Sequence, residues 1–125
     1  MDTPRKLLFV LFRADVCTAN HVCLYALELR ALGHEVAFIL EGEATALVGA
    51  LADPESKLGE RLRALQAQGV LRGACRTASH GCSKPDPGAN VAAQIEAAGI
   101  PLLGELEGHA DIRPYVEAGF ELVIC

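Results

Sequence analysis

Short apolar runs alternate with amphipathic stretches along the whole chain. The runs Leu7 to Phe12, Glu35 to Leu40 and Val70 to Cys75 have the length of strands. The first two are almost continuously apolar at their centres, whereas Arg72 and Gly73 make the third a weaker strand pattern. Such runs are typical of strands that are covered on both faces of a parallel sheet. Two shorter runs, Pro101 to Leu103 and Glu121 to Cys125, follow near the end of the chain. The pattern therefore predicts five strands.

The segment after the first strand has the spacing of a helix. Thr18 or Asn20 can cap this helix, which runs to Leu32 and ends at the left-handed stop Gly33. Helical spacing places five apolar residues on one face, namely Val22, Tyr25, Ala26, Leu29 and Leu32. We therefore predict that this face packs against the sheet.

The remaining connections are also predicted to contain helices, except for one loop. Residues 43–52 have a helical composition, and the Asp53-Pro54 pair predicts the start of a helix that ends at Gln68 and buries its leucines. A similar Asp86-Pro87 pair predicts a helix to Ala98, and Asp111 a last helix to Gly119. Residues 76–87 show no periodicity and are predicted to form a loop.

Alternating strands and helices predict one domain, spanning residues 1–125, with a three-layer α/β/α sandwich around a parallel five-stranded sheet. Hydrophobic residues make up 51% of the 125-residue chain and charged residues 22%, a balance that argues against disorder. The net charge of −5 disfavours nucleic acid and anionic membranes as partners. The apolar runs are too short to span a membrane or to form a signal peptide, so we expect a cytoplasmic protein.

Cys75 is the first candidate for a reactive residue. It ends the third predicted strand, where a parallel sheet collects its ligands, and Arg76 follows it. A neighbouring cation lowers the pKa of a thiol and so increases the fraction of the nucleophilic thiolate. The alternative is a half-buried cysteine at the end of a strand, without reactivity.

A second hypothesis is a metal site formed by Cys75, His80 and Cys82, because thiolates and imidazole are ligands of zinc. The spacing C-x4-H-x-C matches no common structural zinc motif, and a fourth ligand from Cys17 or His21 has no support in the sequence. Cys82 could instead resolve a disulfide or persulfide formed on Cys75.

Cys17 is the second candidate thiol, because it lies near the N-terminus of the first helix, where backbone N–H groups favour an anion. Arg13 lies in the same loop and could stabilise a thiolate. His109 lies on the carboxyl side of the fourth strand and could reach the same edge of the sheet, although a local role in a turn is favoured.

Other titratable residues have plainer interpretations. Glu41 and Glu43 flank Gly42 like a carboxylate pair, but the pattern favours a solvated turn. The five cysteines are interpreted as thiols, with Cys23 and Cys125 in the core. Dinucleotide-binding, phosphate-binding, hydrolase-elbow and paired C-x-x-C motifs are all absent from the sequence.

Several segments together resemble the DsrE/DsrF-like family of small cytoplasmic proteins, over nearly the whole chain. They are LLFVLF, HVCLYALELRALGHEV, ILEGEATALV, ACRTASHGC and GHADIRPYVEAGFELVIC. The chain is most similar to an uncharacterised branch that shares EGEAT and Y-x-x-x-G-[FY]-E. The resemblance implies a parallel five-stranded fold, assembly into homo-oligomers, and a persulfide carried on Cys75 between partner proteins. Relatives in that branch tend to have a second cysteine where this chain has Ala78.

The sequence thus leaves three hypotheses. The first is a sulfur-handling protein in which Cys75 accepts sulfane sulfur, with Cys17 or Cys82 as accessory thiol and Arg76 or Arg13 stabilising the thiolate. The second is a module that binds a small ligand or a metal such as zinc through Cys75, His80 and Cys82, without turnover. The third is an assembly protein that buries its apolar excess between subunits.

Overall fold

A computed structural model describes residues 3–81 and 90–125 of the chain. Its centre is a sheet of five strands: β1 (Lys6–Leu11), β2 (Glu35–Leu40), β3 (Leu71–Cys75), β4 (Leu102–Leu103) and β5 (Glu121–Ile124). All neighbouring strands are parallel, and their order is β4-β3-β2-β1-β5. The prediction of a parallel five-stranded sheet is confirmed, with strand limits within about one residue.

Within the described residues, five α-helices and one 3₁₀ helix connect the strands. They are α1 (Val16–Ala31), the 3₁₀ segment (Gly42–Ala52), α2 (Lys57–Ala67), α3 (Arg76–Ser79), α4 (Val91–Ala97) and α5 (Arg113–Glu117). No helix in the described ranges is both long enough and apolar enough to cross a membrane.

The predicted cap of α1 was wrong. Asp15, rather than Thr18 or Asn20, caps the helix: its carboxylate accepts hydrogen bonds from the backbone N–H and the hydroxyl of Thr18, at 2.9 and 2.6 Å. Gly33 has φ +98°, which confirms the left-handed stop.

The predicted apolar face of α1 was only partly right. The helix buries Ala19, Val22, Cys23 and Ala26, whereas Tyr25 is 59% exposed and Leu32 is 55% exposed. Small residues on the buried face allow the helix to lie close to the sheet, while Leu27 and Leu29 pack only partly against the larger core. The sequence prediction chose the apolar face from the larger apolar side chains. The face that is buried lies to one side of the predicted face, because it is formed mainly by small residues.

The cap of α2 also differs from the prediction. Ser56 caps this helix by accepting a hydrogen bond from the N–H of Gly59 at 2.9 Å. The side chain of Asp53 instead accepts from the N–H of Glu55, two residues along, and so forms a turn. The predicted core leucines of this helix, Leu58, Leu62 and Leu65, are all buried.

The segment after β3, which was predicted to be a loop, begins with a short helical turn, α3, so this prediction was wrong for residues 76–79. Cys75 caps this turn, and its backbone carbonyl accepts a hydrogen bond of 2.6 Å from the hydroxyl of Ser79. The predicted cap Asp86-Pro87 and the candidate Cys82 lie outside the described residues. In the described part, α4 begins at Val91.

Two cores lie on the two faces of the sheet. The larger core packs α1, α2, the 3₁₀ segment and α4 against one face. The smaller core lies on the other face, where Ile112, Tyr115 and Phe120 from α5 and its flanks cover it. The fold is thus an α/β structure with helical cover on both faces, and the second layer of cover is thin. Cys75 belongs to the smaller core.

A bulge in β3 explains why its sequence looked weak as a strand. Phe38 pairs with Leu71, but Ile39 pairs with Gly73, so Arg72 is the extra residue on β3. A Cβ atom on Gly73 would lie 2.7 Å from the carbonyl oxygen of Pro101. The glycine therefore permits the close approach of the chain entering β4. The bulge shifts the in/out alternation of β3 by one residue, and this shift puts Cys75 on the smaller core.

Candidate functional site

Cys75 lies at the carboxyl end of β3 with its sulfur under the first turn of α3. The N–H of Ala78 donates to its Sγ at 3.4 Å, and Ala110 packs in the same smaller core. The Cys75 residue is fully buried. Ala78 holds the position of the second cysteine in a C-x-x-C motif, so the first turn of α3 offers a backbone N–H to Cys75 but no second thiol.

Glu41 follows β2, the strand next to β3, and is half-buried. Leu40 packs in the larger core and Ile39 in the smaller one, so the alternation of a strand directs Glu41 toward the side of Cys75. One carboxylate oxygen accepts from the N–H of Gly42 at 2.9 Å, which fixes the side chain over the start of the 3₁₀ segment.

His109 is placed by a tight turn beyond β4. The backbones of Leu106 and His109 exchange two hydrogen bonds, of 3.0 and 2.8 Å, around Glu107 and Gly108. These two central residues have φ +50° and φ +92°, as in a type I′ turn. The turn is joined to α3, because the carbonyl of Gly108 accepts from the N–H and hydroxyl of Thr77 at 3.0 and 2.8 Å.

Glu41, Cys75 and His109 therefore meet at one end of the sheet. One carboxylate oxygen, the thiol sulfur and one imidazole nitrogen all lie within 4.8 Å of one another. The sulfur of Cys75 lies 3.4 Å from Nδ1 of His109. Cys75 is buried and Glu41 half-buried, whereas His109 is exposed, so the cluster faces solvent on the histidine side.

Burial raises the pKa of the Cys75 thiol above its usual value. The N–H groups of Ala78 and Ala110 act in the opposite direction, since they stabilise a thiolate. The Glu41 carboxylate, which has an oxygen within 4.8 Å of the sulfur and repels a thiolate, raises the pKa of Cys75 further. In the free protein, Cys75 is thus a neutral thiol surrounded by groups that can receive its proton or hold its anion.

Cys17 does not join this cluster. It is exposed on α1, a helix of the larger core, whereas the Cys75 side chain lies in the smaller core on the other face of the sheet. The sulfur of Cys17 lies 3.8 Å from Nδ1 of His21, which also contacts the carbonyl oxygen of Cys17 at 2.7 Å. Arg13 lies beside Asp15 in the same loop.

Arg76 and His80 follow Cys75 in sequence but point elsewhere. The guanidinium of Arg76 lies on the backbone of Gly104, where an added Cβ would be 2.7 Å from its Cζ atom. His80 is exposed and ends α3, its N–H donating to the carbonyl oxygens of Arg76 and Thr77. Cys82, the third member of the predicted metal set, lies outside the described residues.

The other cysteines behave as the sequence indicated. All four described cysteines, at positions 17, 23, 75 and 125, are free thiols. Cys23 is fully buried in the larger core, where burial raises its pKa to about 12. Cys125 is half-buried against the same core, and burial raises its pKa too.

A groove of about 480 Å³ lies away from the cluster, between the 3₁₀ segment, α2 and α4. Its lining is mostly apolar, and its one charged residue, Arg63, already donates to the carbonyl oxygen of Leu51 at 3.0 Å. The groove therefore has no free charged group for catalysis or metal binding among its lining residues, in contrast to the cluster of Glu41, Cys75 and His109.

Comparison with known proteins leaves the chain without an assigned relative. No protein-family model, no curated protein and no solved structure matches it.

Proposed function

We propose that the protein handles sulfane sulfur, which Cys75 accepts as a persulfide. The observation that carries the proposal is the arrangement around the Cys75 sulfur. The backbone N–H of Ala78 donates to it at 3.4 Å, and His109 Nδ1 also lies 3.4 Å from it. N–H donors stabilise an anionic sulfur, and a neighbouring imidazole can take the thiol proton.

The proposed step is an exchange between a persulfide donor and the thiol. His109 takes the proton from Cys75, and the thiolate attacks the outer sulfur of the donor. The bond between the two donor sulfurs breaks as the new bond to Cys75 forms, and the donor leaves as a thiolate with the bonding electron pair. The proton returns through His109 to that leaving group. The products are a Cys75 persulfide and a donor thiol, with no net oxidation.

The proposal assigns smaller roles to the other candidates. The position of Ala78 leaves no thiol three residues from Cys75 to displace the bound sulfur as an internal disulfide. Release to an acceptor thiol on a partner sulfur carrier is therefore favoured, with Cys82 as accessory thiol; Cys17, predicted as the other accessory thiol, lies on the other face of the sheet and is given no part in this step. Arg76 is proposed to act through the turn it covers at Gly104 rather than by pairing with the thiolate.

The resemblance to DsrE/DsrF-like proteins supports the same function and a cytoplasmic location. A reducing compartment suits a protein whose four described cysteines are free thiols. Because Cys75 is fully buried and His109 is exposed, the proposed path for a donor passes the turn that carries His109.

Sulfur uptake tests the proposal directly. The chelator-treated protein is incubated with a small-molecule persulfide donor and its intact mass is measured before and after reduction. We expect the wild type and Cys17→Ser each to gain one sulfur atom that reductant removes, and Cys75→Ser to gain none. A wild type that gains no sulfur, or an equal gain on Cys75→Ser, would contradict the proposal.

Self-association is part of the proposed function. The strand β5 lies at one edge of the sheet, and two of its apolar side chains are exposed, Leu122 by 40% and Ile124 by 59%. A second copy of the chain is the proposed occupant of this edge, as the family resemblance implies. Sedimentation should show a dimer or larger species for the wild type and a shift toward monomer for Ile124→Lys. A wild-type protein that sediments only as a monomer at high concentration would contradict the proposed self-association.

A further inference from the structure

We propose that Glu41, Cys75 and His109 bind one divalent metal ion of the zinc class. The three side chains come from separate parts of the chain, and their ligand atoms lie within 4.8 Å of one another. This set differs from the one that the sequence suggested, since it shares only Cys75 with it. The metal proposal goes beyond sulfur transfer and does not depend on it.

The spacing of the ligand atoms suits tetrahedral zinc. With zinc–sulfur and zinc–nitrogen bonds of about 2.3 and 2.1 Å, the two ligand atoms in a tetrahedral site are separated by about 3.6 Å. The sulfur of Cys75 and Nδ1 of His109 are 3.4 Å apart. A small rotation of the Glu41 side chain completes the set, because its carboxylate oxygen is already within 4.8 Å of both atoms.

The charges of the ligand set also favour a divalent cation. A thiolate at Cys75 and a carboxylate at Glu41 together carry two negative charges, and the imidazole of His109 is neutral when it binds a metal. A cation placed between them converts the repulsion of the two anions into attraction. Thiolate and imidazole select zinc-like ions over magnesium or calcium, which prefer sets of oxygen ligands.

Backbone groups hold the ligands in place before any ion binds. The N–H of Gly42 donates to the Glu41 carboxylate, and the N–H of Ala78 donates to the Cys75 sulfur. Such outer contacts orient the ligands of metal sites. The turn bearing His109 is fixed to α3 through Thr77.

Three protein ligands leave one position of a tetrahedron free. Catalytic zinc sites have this composition, with water or a substrate atom in the fourth position. The exposed His109 places the open side of the cluster toward solvent. A small anion or a thiolate is the class of ligand that this position would take.

Titration with Co²⁺ tests the site on the full chain after removal of metals with a chelator. Thiolate-bound Co²⁺ gives a charge-transfer band in the near ultraviolet, and four-coordinate Co²⁺ gives intense visible absorption. We expect both signals to saturate at one equivalent and to be reversed by Zn²⁺. The charge-transfer band should be lost in Cys75→Ser, and Glu41→Gln and His109→Gln should each weaken binding by about 10-fold or more.

Three control variants separate this site from its rivals. His80→Gln and Cys82→Ser should bind Co²⁺ like the wild type, as should Cys17→Ser, which removes the exposed thiol beside His21. Loss of the band in any of these three, or no stoichiometric binding by the wild type, would overturn the proposal. Thermal unfolding gives a second readout: Zn²⁺ should raise the Tm of the wild type and of Cys17→Ser, but not that of Cys75→Ser. Equal stabilisation of all variants would also overturn it.

Discussion

Replacement of His109 by glutamine is expected to slow sulfur transfer to Cys75 by about 100-fold or more at neutral pH, the usual contribution of a positioned acid–base group. The Cys75 thiol is neutral in the folded protein, because burial and the Glu41 carboxylate raise its pKa. The thiol must therefore lose its proton before it attacks, and Nδ1 of His109, at 3.4 Å, is positioned to take it. Rapid mixing with an excess of persulfide donor, in the presence of a chelator, measures the rate of loading.

The pH dependence distinguishes a proton acceptor from a structural residue. In His109→Gln the proton must pass to solvent, so loading should accelerate as the pH rises toward the pKa of Cys75, and the gap to the wild type should narrow. The matched control is His80→Gln, which changes an exposed histidine that ends α3 without touching the cluster. Wild-type loading rates in His109→Gln, or an equal slowing at every pH, would rule out the proposed role.

The sheet was predictable because its signals are local. Each strand is an apolar run bounded by glycine or polar residues, and parallel pairing follows from the helices between the runs. Helix caps were less predictable. Both Asp15 and Ser56 are good caps, but neighbouring Thr18 and Asp53 have the same chemistry, and only the path of the backbone decides between them.

The cluster was harder to predict than the strands, because its members are far apart in sequence. Cys75 was identified because it ends a predicted strand, and in the structure it is the last residue of β3. Glu41 looked like half of a solvated pair with Glu43, since the order of strands that puts β2 beside β3 is not written in any local pattern. His109 depends on a turn that brings it back over Cys75. The signal for this turn was Gly108, which readily adopts the second central position of a type I′ turn, whereas Glu107 is not a residue from which a positive φ is expected.

The local sequence around Cys75 was misleading about its partners. Arg76, His80 and Cys82 follow it closely, but the helical turn α3 directs the first toward Gly104 and leaves the second exposed. A loop assignment for residues 76–87 hid this turn. Arg76 and His80 thus lie near Cys75 in sequence but outside its cluster, whereas the edge of the sheet brings Glu41 and His109 to it.

Alkaline unfolding should reveal the burial of Cys23 as a loss of stability of up to about 4 kcal/mol. Burial in the larger core raises the pKa of this thiol from 9.0 to about 12. Above about pH 9 the unfolded chain gives up the proton while the native protein keeps it, so the unfolded state is favoured increasingly. The contribution of the Cys23 thiol to the free energy of unfolding is therefore fully present below pH 9 and is lost as the pH rises toward 12. Urea unfolding at a series of pH values, under reducing conditions, measures the free energy of unfolding.

A comparison of variants isolates the contribution of Cys23 from lysine and tyrosine, which titrate in the same range. In Cys23→Ala the free energy of unfolding should fall less steeply above pH 9 than in the wild type, although the variant starts from a lower stability because it loses a buried side chain. Cys17→Ala is the matched control, since that thiol is exposed, and its slope should equal that of the wild type. If the free energy of unfolding of Cys23→Ala and of the wild type changed in parallel with pH, the Cys23 thiol would ionise equally well in the folded protein. Such ionisation would require α1 to separate from the sheet far more readily than its closely packed face of small residues indicates.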